Sequence, residues 1–171
     1  MTTLLKTPPH GASGSQVVTR SSPEGDMKLV GAVSGLEYLK GLVTSKAVLP
    51  ICALLDFEPI AFEHGKAVFA GTPAEVHYNP MGTVHGGFAA TLLDSALGSA
   101  VHTMLQPGFC YTTIELKVNY VRPLRSSTGR VTCEGTVIHN GSRIATAEAW
   151  LRDASGKLYA HGTTTCLIFR V

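Results

Sequence analysis

The segment Gly86 to Leu105 limits what this chain can fold into more than any other part of it. It is apolar on nearly every side and carries a single carboxylate, Asp94. Pro107-Gly108 stops a helix, so the spacing predicts a helix over roughly residues 84–105. A helix this apolar cannot lie on a sheet with one side in water. It must be wrapped by a curved sheet or covered by a second chain. The small residues Ala89, Ala90, Ala96, Gly98 and Ala100 let the covering layer approach closely. Thr91, Asp94, Ser95, Ser99 and His102 interrupt the segment well before the roughly 18 apolar residues of a membrane span.

The helix is entered through Asn79-Pro80-Met81-Gly82-Thr83-Val84-His85-Gly86-Gly87. A glycine-rich turn opening into a helix presents unpaired backbone N–H groups and the positive end of the helix dipole. An ionised acid among apolar residues is destabilised unless it is paired or used. A carbonyl-polarising turn and such an acid within one short span point to chemistry on an acyl group. No GxSxG elbow and no supported Cys/His arrangement offers a side-chain nucleophile. Cys52, Cys110, Cys133 and Cys166 form no CxxC pair and read as buried thiols, and His64, His102, His139 and His161 read as structural. Neither a metal nor a cofactor is expected.

With 171 residues, 44% of them hydrophobic and 15% charged, the chain is one domain with a sizeable core. Its net charge of +2 and lack of a Lys/Arg block argue against nucleic acid as a partner. The first residues lack the charged-then-apolar pattern of a secretory signal, so a cytoplasmic protein without membrane attachment is expected.

Residues 1–28 read as a mobile leader and 29–171 as the folded domain. Ser34 and Glu37 fit a capping box, and Leu36, Leu39 and Leu42 then repeat at helical spacing. Pro50 to Phe62 and Lys66 to Glu75 read as strands joined at Glu63-His64-Gly65. After the long helix, strands are expected over Tyr111 to Val121, Arg130 to His139, Arg143 to Asp153 and Lys157 to Phe169, with a hairpin at Asn140-Gly141. Alternation in the first of these puts Ile114, Leu116, Val118 and Tyr120 on the apolar face and Thr113 on the other.

Several runs resemble the hotdog-fold acyl-CoA thioesterases, in particular the phenylacetate-pathway subgroup: Asn79, His85-Gly86-Gly87, Leu92-Leu93-Asp94-Ser95-Ala96, Thr113-Ile114-Glu115-Leu116 and Asn119-Tyr120-Val121-Arg122-Pro123. The resemblance covers roughly residues 34–170 and implies an α+β hotdog fold, a curved antiparallel β-sheet wrapped around a long central α-helix. It implies hydrolysis of an acyl or aryl thioester to free acid and coenzyme A. Asp94 would be the general base or nucleophile, and the Gly86 N–H would polarise the carbonyl. Asn79 and His85 would orient the loop or the substrate, and Thr113 would help to hold the nucleophilic water. Arg122 and Arg143 are candidate contacts for the coenzyme A phosphates, because guanidinium matches phosphate geometry. A homotetramer built from two dimers is the family's habit.

The spacing carries an argument of its own. Gly86 and Asp94 are eight residues apart, about 12 Å along one helix. A thioester carbonyl must sit about 3 Å from its donor, with the base or its water in similar reach. One chain cannot bring both groups to one substrate, whereas two antiparallel helices related by a two-fold axis can do so twice. A homodimer with composite sites follows. The alternatives are an enoyl-CoA hydratase or dehydratase on the same scaffold, for which the aspartate expected before Asn79-Pro80 is missing, and a non-catalytic acyl-CoA-binding module.

Overall fold

The computed structural model describes residues 30–45 and 49–171. The leader expected over 1–28 lies outside them. Helix α1 (Gly35–Thr44) opens on the capping box read from the sequence. The Ser34 hydroxyl accepts from the Glu37 N–H at 3.3 Å, and Glu37 accepts from the Ser34 N–H at 3.1 Å. Leu39 buries the apolar face of α1.

Pro50 to Leu55 is not strand but a short helix, α2 (Pro50–Leu55), and strand β1 (Phe57–Glu63) starts only after it. Proline at the first helical position has its φ preset and needs no amide partner, and Ala53, Leu54 and Leu55 are strong helix formers. Asp56 ends the helix at φ +52°. Strand β2 (Lys66–Gly71) is also shorter than expected, because Thr72-Pro73 leads into a 3₁₀ turn at Glu75–His77. The long helix α3 (Gly86–His102) begins two residues late, since Val84 instead bonds the Leu124 carbonyl at 3.0 Å and His85 serves as its N-cap.

Strands β3 (Phe109–Tyr120), β4 (Val131–Asn140), β5 (Ile144–Asp153) and β6 (Leu158–Arg170) complete one antiparallel sheet of order β1-β2-β4-β5-β6-β3. The sheet curls around α3. Small inward residues make this possible: Ala67, Cys133, Ala145, Ala147, Ala149 and Cys166 are wholly buried. Gly135 is the extreme case, because a Cβ there would lie 2.5 Å from the Ala96 carbonyl oxygen of α3. Above this floor Leu92, Leu93 and Leu97 are fully buried, each contributing about 1.5–3 kcal/mol by leaving water.

Along β3 the expected alternation breaks. Thr113 pairs with Cys166 and Glu115 with the next residue, Thr165, so Ile114 is the extra residue of a β-bulge. It swings outward and is 56% exposed. The bulge resets the face, so Thr113, Leu116, Val118 and Tyr120 all serve the inner side, correcting the placement of Thr113 and Ile114.

His102 ends α3 in a closed aromatic setting. It is 3% exposed, edge-on to Tyr38 at 5.8 Å and tilted on Tyr111 at 5.5 Å between ring centres. Neither ring nitrogen has a hydrogen-bond partner among the described residues.

Two outcomes follow. Gly135→Ala should destabilise the protein by about 1–3 kcal/mol or more in denaturant titrations, because the backbone of α3 must move. Burial pushes the His102 pKa down to about 4, whereas an unfolded imidazole titrates near the ordinary 6.5. The unfolded chain therefore binds the extra proton first, so this contribution to stability is complete above about pH 6.5 and is lost as pH falls towards 4. Melting midpoints between pH 7 and 4.5 should fall less for His102→Phe than for the unsubstituted protein.

Candidate active site

The loop before α3 is built around Asn79. Its N–H donates to the Thr83 carbonyl at 2.8 Å, and its Oδ1 accepts from the Met81 and Thr83 N–H groups at 2.9 and 3.3 Å. Its Nδ2 donates to Thr83 Oγ1 at 3.1 Å. Both ends of the side chain are thus engaged inside the loop, so Asn79 braces the turn. Gly82 takes φ +72° there.

His85 is held by its own N–H, which donates to the His77 carbonyl at 2.7 Å. His77 was not singled out from the sequence. It is buried, stacks on Phe88 at 4.6 Å, and accepts the Ala74 N–H on Nδ1 at 3.0 Å. Burial holds its pKa below the ordinary histidine value, with Asp56 opposing. The His85 Nδ1 accepts the Gly87 N–H at 2.9 Å, which leaves Nε2 to carry the ring proton of the neutral form.

The N–H groups of the first helical turn can now be accounted for. Gly87 donates to the His85 ring, and Phe88 donates to the His85 carbonyl at 3.0 Å. The Gly86 N–H has no partner among the described residues, as expected at the first helical position. Tyr120 arrives from β3 and donates its hydroxyl to the Gly86 carbonyl at 3.1 Å. The resemblance had included Tyr120 in its motif, but its alternation marked only an apolar face and assigned it no role.

These groups share a cavity of about 440 Å³. Asn79, His85, Gly86, Tyr120 and Arg122 line it beside Met81, Val84, Ala89 and Leu124. Arg122 is fixed at its rim by donating to the Leu158 carbonyl at 2.6 Å. Arg143 is not brought there. It sits exposed in the β4–β5 turn, where its carbonyl accepts the Ile168 N–H at 2.8 Å, at the opposite end of β6 from Leu158.

Asp94 lies elsewhere on α3, two turns beyond Gly86, and lines no part of this cavity. Its Oδ1 accepts from Thr113 Oγ1 at 3.1 Å. It is half-buried on an open stripe of the helix with Gly87, Ala90, Thr91 and Ser95. The neighbouring titratable groups are kept neutral. Burial, with smaller contributions from charges including Asp94, pushes the Tyr111 phenol up. Burial also raises the Cys166 thiol, against hydrogen bonds to Thr164 and Thr113. Among the described residues no three His, Cys, Asp or Glu side chains gather in a metal-binding group.

The chemistry available is a polarising amide at a helix N-terminus and, about 12 Å away on the same helix, a carboxylate braced by a hydroxyl. The chain is similar to several known proteins. Residues 81–160 match the family model described as "Thioesterase superfamily". A Saccharolobus solfataricus protein named as an esterase is 32% identical over 120 residues, which cover 70% of this chain and 84% of the relative. Human acyl-coenzyme A thioesterase 13 is 28% identical over 102 residues, covering 59% of this chain and 71% of that protein. A mutant of the phenylacetic acid degradation protein PaaI from Thermus thermophilus superposes with TM-score 0.63 and 30% identity, covering 71% of this chain and 99% of its own. The glycine-led central helix, the sheet curled around it and these matches identify the chain as a thioester hydrolase of the hotdog-fold thioesterase superfamily.

Proposed function

We propose that the protein hydrolyses acyl-CoA thioesters as a homodimer with two composite sites, each using Gly86 of one subunit and Asp94 of the other. The observation that carries this reading is the separation of the two groups. The cavity holds the unpartnered Gly86 N–H, and Asp94 lies outside it, about 12 Å along the same rigid helix. The open stripe bearing Asp94 lies beside β3, which is the end strand of the sheet and pairs only with β6 among the described residues. A long strand edge left unpaired favours addition of another strand. Ile114, Tyr120 and Val121 are also exposed along it. A second copy joined along this side would bring an Asp94 towards the first copy's cavity. Coenzyme A as the thiol carrier is supported by the name of the human relative and by Arg122 at the cavity rim.

In this site the thioester oxygen accepts a hydrogen bond from the Gly86 N–H, reinforced by the helix dipole. Thr113 holds one oxygen of Asp94, leaving the other to take a proton from water as that water attacks the carbonyl carbon. The tetrahedral oxyanion collapses, the C–S bond breaks, and the thiolate leaves without needing a strong acid. Free acid and coenzyme A are the products, and the proton on Asp94 returns to solvent.

Asp94→Asn keeps the side-chain size and removes the base, so kcat should fall about 100- to 10,000-fold while circular dichroism stays unchanged. Free-thiol release from a panel of aryl and aliphatic acyl-CoAs measures this and the acyl preference together. Subunit mixing tests the composite site. Gly86→Ala places a methyl 3.0 Å from the Tyr120 ring and should be inactive alone, like Asp94→Asn. Equal amounts unfolded and refolded together should regain about a quarter of native activity, because half the dimers are mixed and each has one intact site. No recovery would place both groups in one chain's site.

A further inference from the structure

We propose that Tyr120 is a positioning residue for the Gly86 donor, an inference that rests on the hydrolase mechanism just given. The peptide joining Gly86 to Gly87 is gripped from two sides. Its N–H donates to the His85 ring at 2.9 Å, and its carbonyl accepts from the Tyr120 hydroxyl at 3.1 Å. The Tyr120 ring also lies on the Gly86 α-carbon, so closely that a Cβ would meet ring and hydroxyl atoms at 3.0 to 3.2 Å. Glycine has the softest backbone of any residue. The donor's own N–H makes no bond among the described residues; its peptide is held from one side by the Phe88 N–H on the His85 carbonyl, and Tyr120 holds the next peptide, so the two together set its aim.

The strand is built to deliver this contact. Thr113 and Tyr120 are seven residues apart, and in an unbroken strand they would point to opposite faces. The bulge at Ile114 changes that parity. One strand therefore braces Asp94 through Thr113 and the Gly86 peptide through Tyr120. Within one chain Tyr120 is 57% exposed, so the chain's own packing does not compel this bond. A bond that burial does not compel, made at the one turn whose geometry the chemistry uses, is best explained by positioning.

The test compares Tyr120→Phe, which keeps the ring, with Tyr120→Leu, which removes both contacts. Tyr120→Phe should lower kcat about tenfold with KM within about twofold and the melting midpoint unchanged, and Tyr120→Leu should lower kcat about 100-fold. Hydrogen exchange of the Gly87 amide, followed by nuclear magnetic resonance, should quicken several-fold in Tyr120→Phe, a change a merely structural side chain elsewhere would not produce. Native kcat in Tyr120→Phe would overturn the proposal, as would a slower reaction with unchanged Gly87 exchange, which would mean that the phenol acts on substrate directly. If the unsubstituted protein released no thiol from any acyl-CoA, the mechanism would fail, and unchanged Gly87 exchange would still refute the pinning by itself.

Discussion

Backbone-to-backbone contact between the central helix and the sheet sets the terms for everything else in this fold. The Ala96 carbonyl rests where any side chain at residue 135 would have to be, and the inward row of β5 consists of Ala145, Ala147 and Ala149 before Leu151. A sheet lined with larger residues would stand off by the usual layer spacing and leave the flanks of α3 uncovered. Lined with alanine and glycine, it can curl around the helix and bury Leu92, Leu93 and Leu97 on the same rod that leaves Asp94 half-buried. Tight packing on three sides is what makes the fourth side a defined stripe.

The proposed site uses two parts of that rod separately. Its N-terminus carries the dipole and one unclaimed donor, and its middle carries the Asp94 carboxyl. Among the described residues, supporting bonds leave the Gly86 N–H unclaimed and take one oxygen of Asp94. Asn79, His77 and His85 consume the loop's polar groups among themselves, and Tyr111 and Cys166 stay neutral beside Asp94. A rigid spacing of two helical turns keeps Gly86 and Asp94 of one chain from meeting each other.

Much of this could be read from residue order, and the exceptions have physical causes. Ser34 with Glu37 is a local signal whose partners lie three residues apart, and the capping box forms as read. Pro50 misled because its helix is too short to show a period, and a run of Ile, Ala and Leu suits either a strand or a helix. Thr113 was assigned to the wrong face because parity counting assumes an uninterrupted ladder. The bulge at Ile114 is set by pairing with β6, about fifty residues away, and leaves no mark in its own vicinity. Tyr120 read as an ordinary apolar-face residue because its partner, the Gly86 carbonyl, lies thirty-four residues away in the chain. Arg143 and Arg122 are indistinguishable as sequence, and only topology puts them at opposite ends of β6.

The strand order bears on how the molecule comes into being. β3 lies next to β6 and nowhere near β4, which follows it in the chain. Its inter-strand bonds therefore wait for the fold's final strand, and such long loops must close against chain entropy before any pairing rewards them. A nascent polypeptide can assemble α3 with β1, β2, β4 and β5 and still hold neither Thr113 nor Tyr120 in place. The contacts of β3 to Asp94 and to the Gly86 peptide are therefore fixed only once β6 has been made.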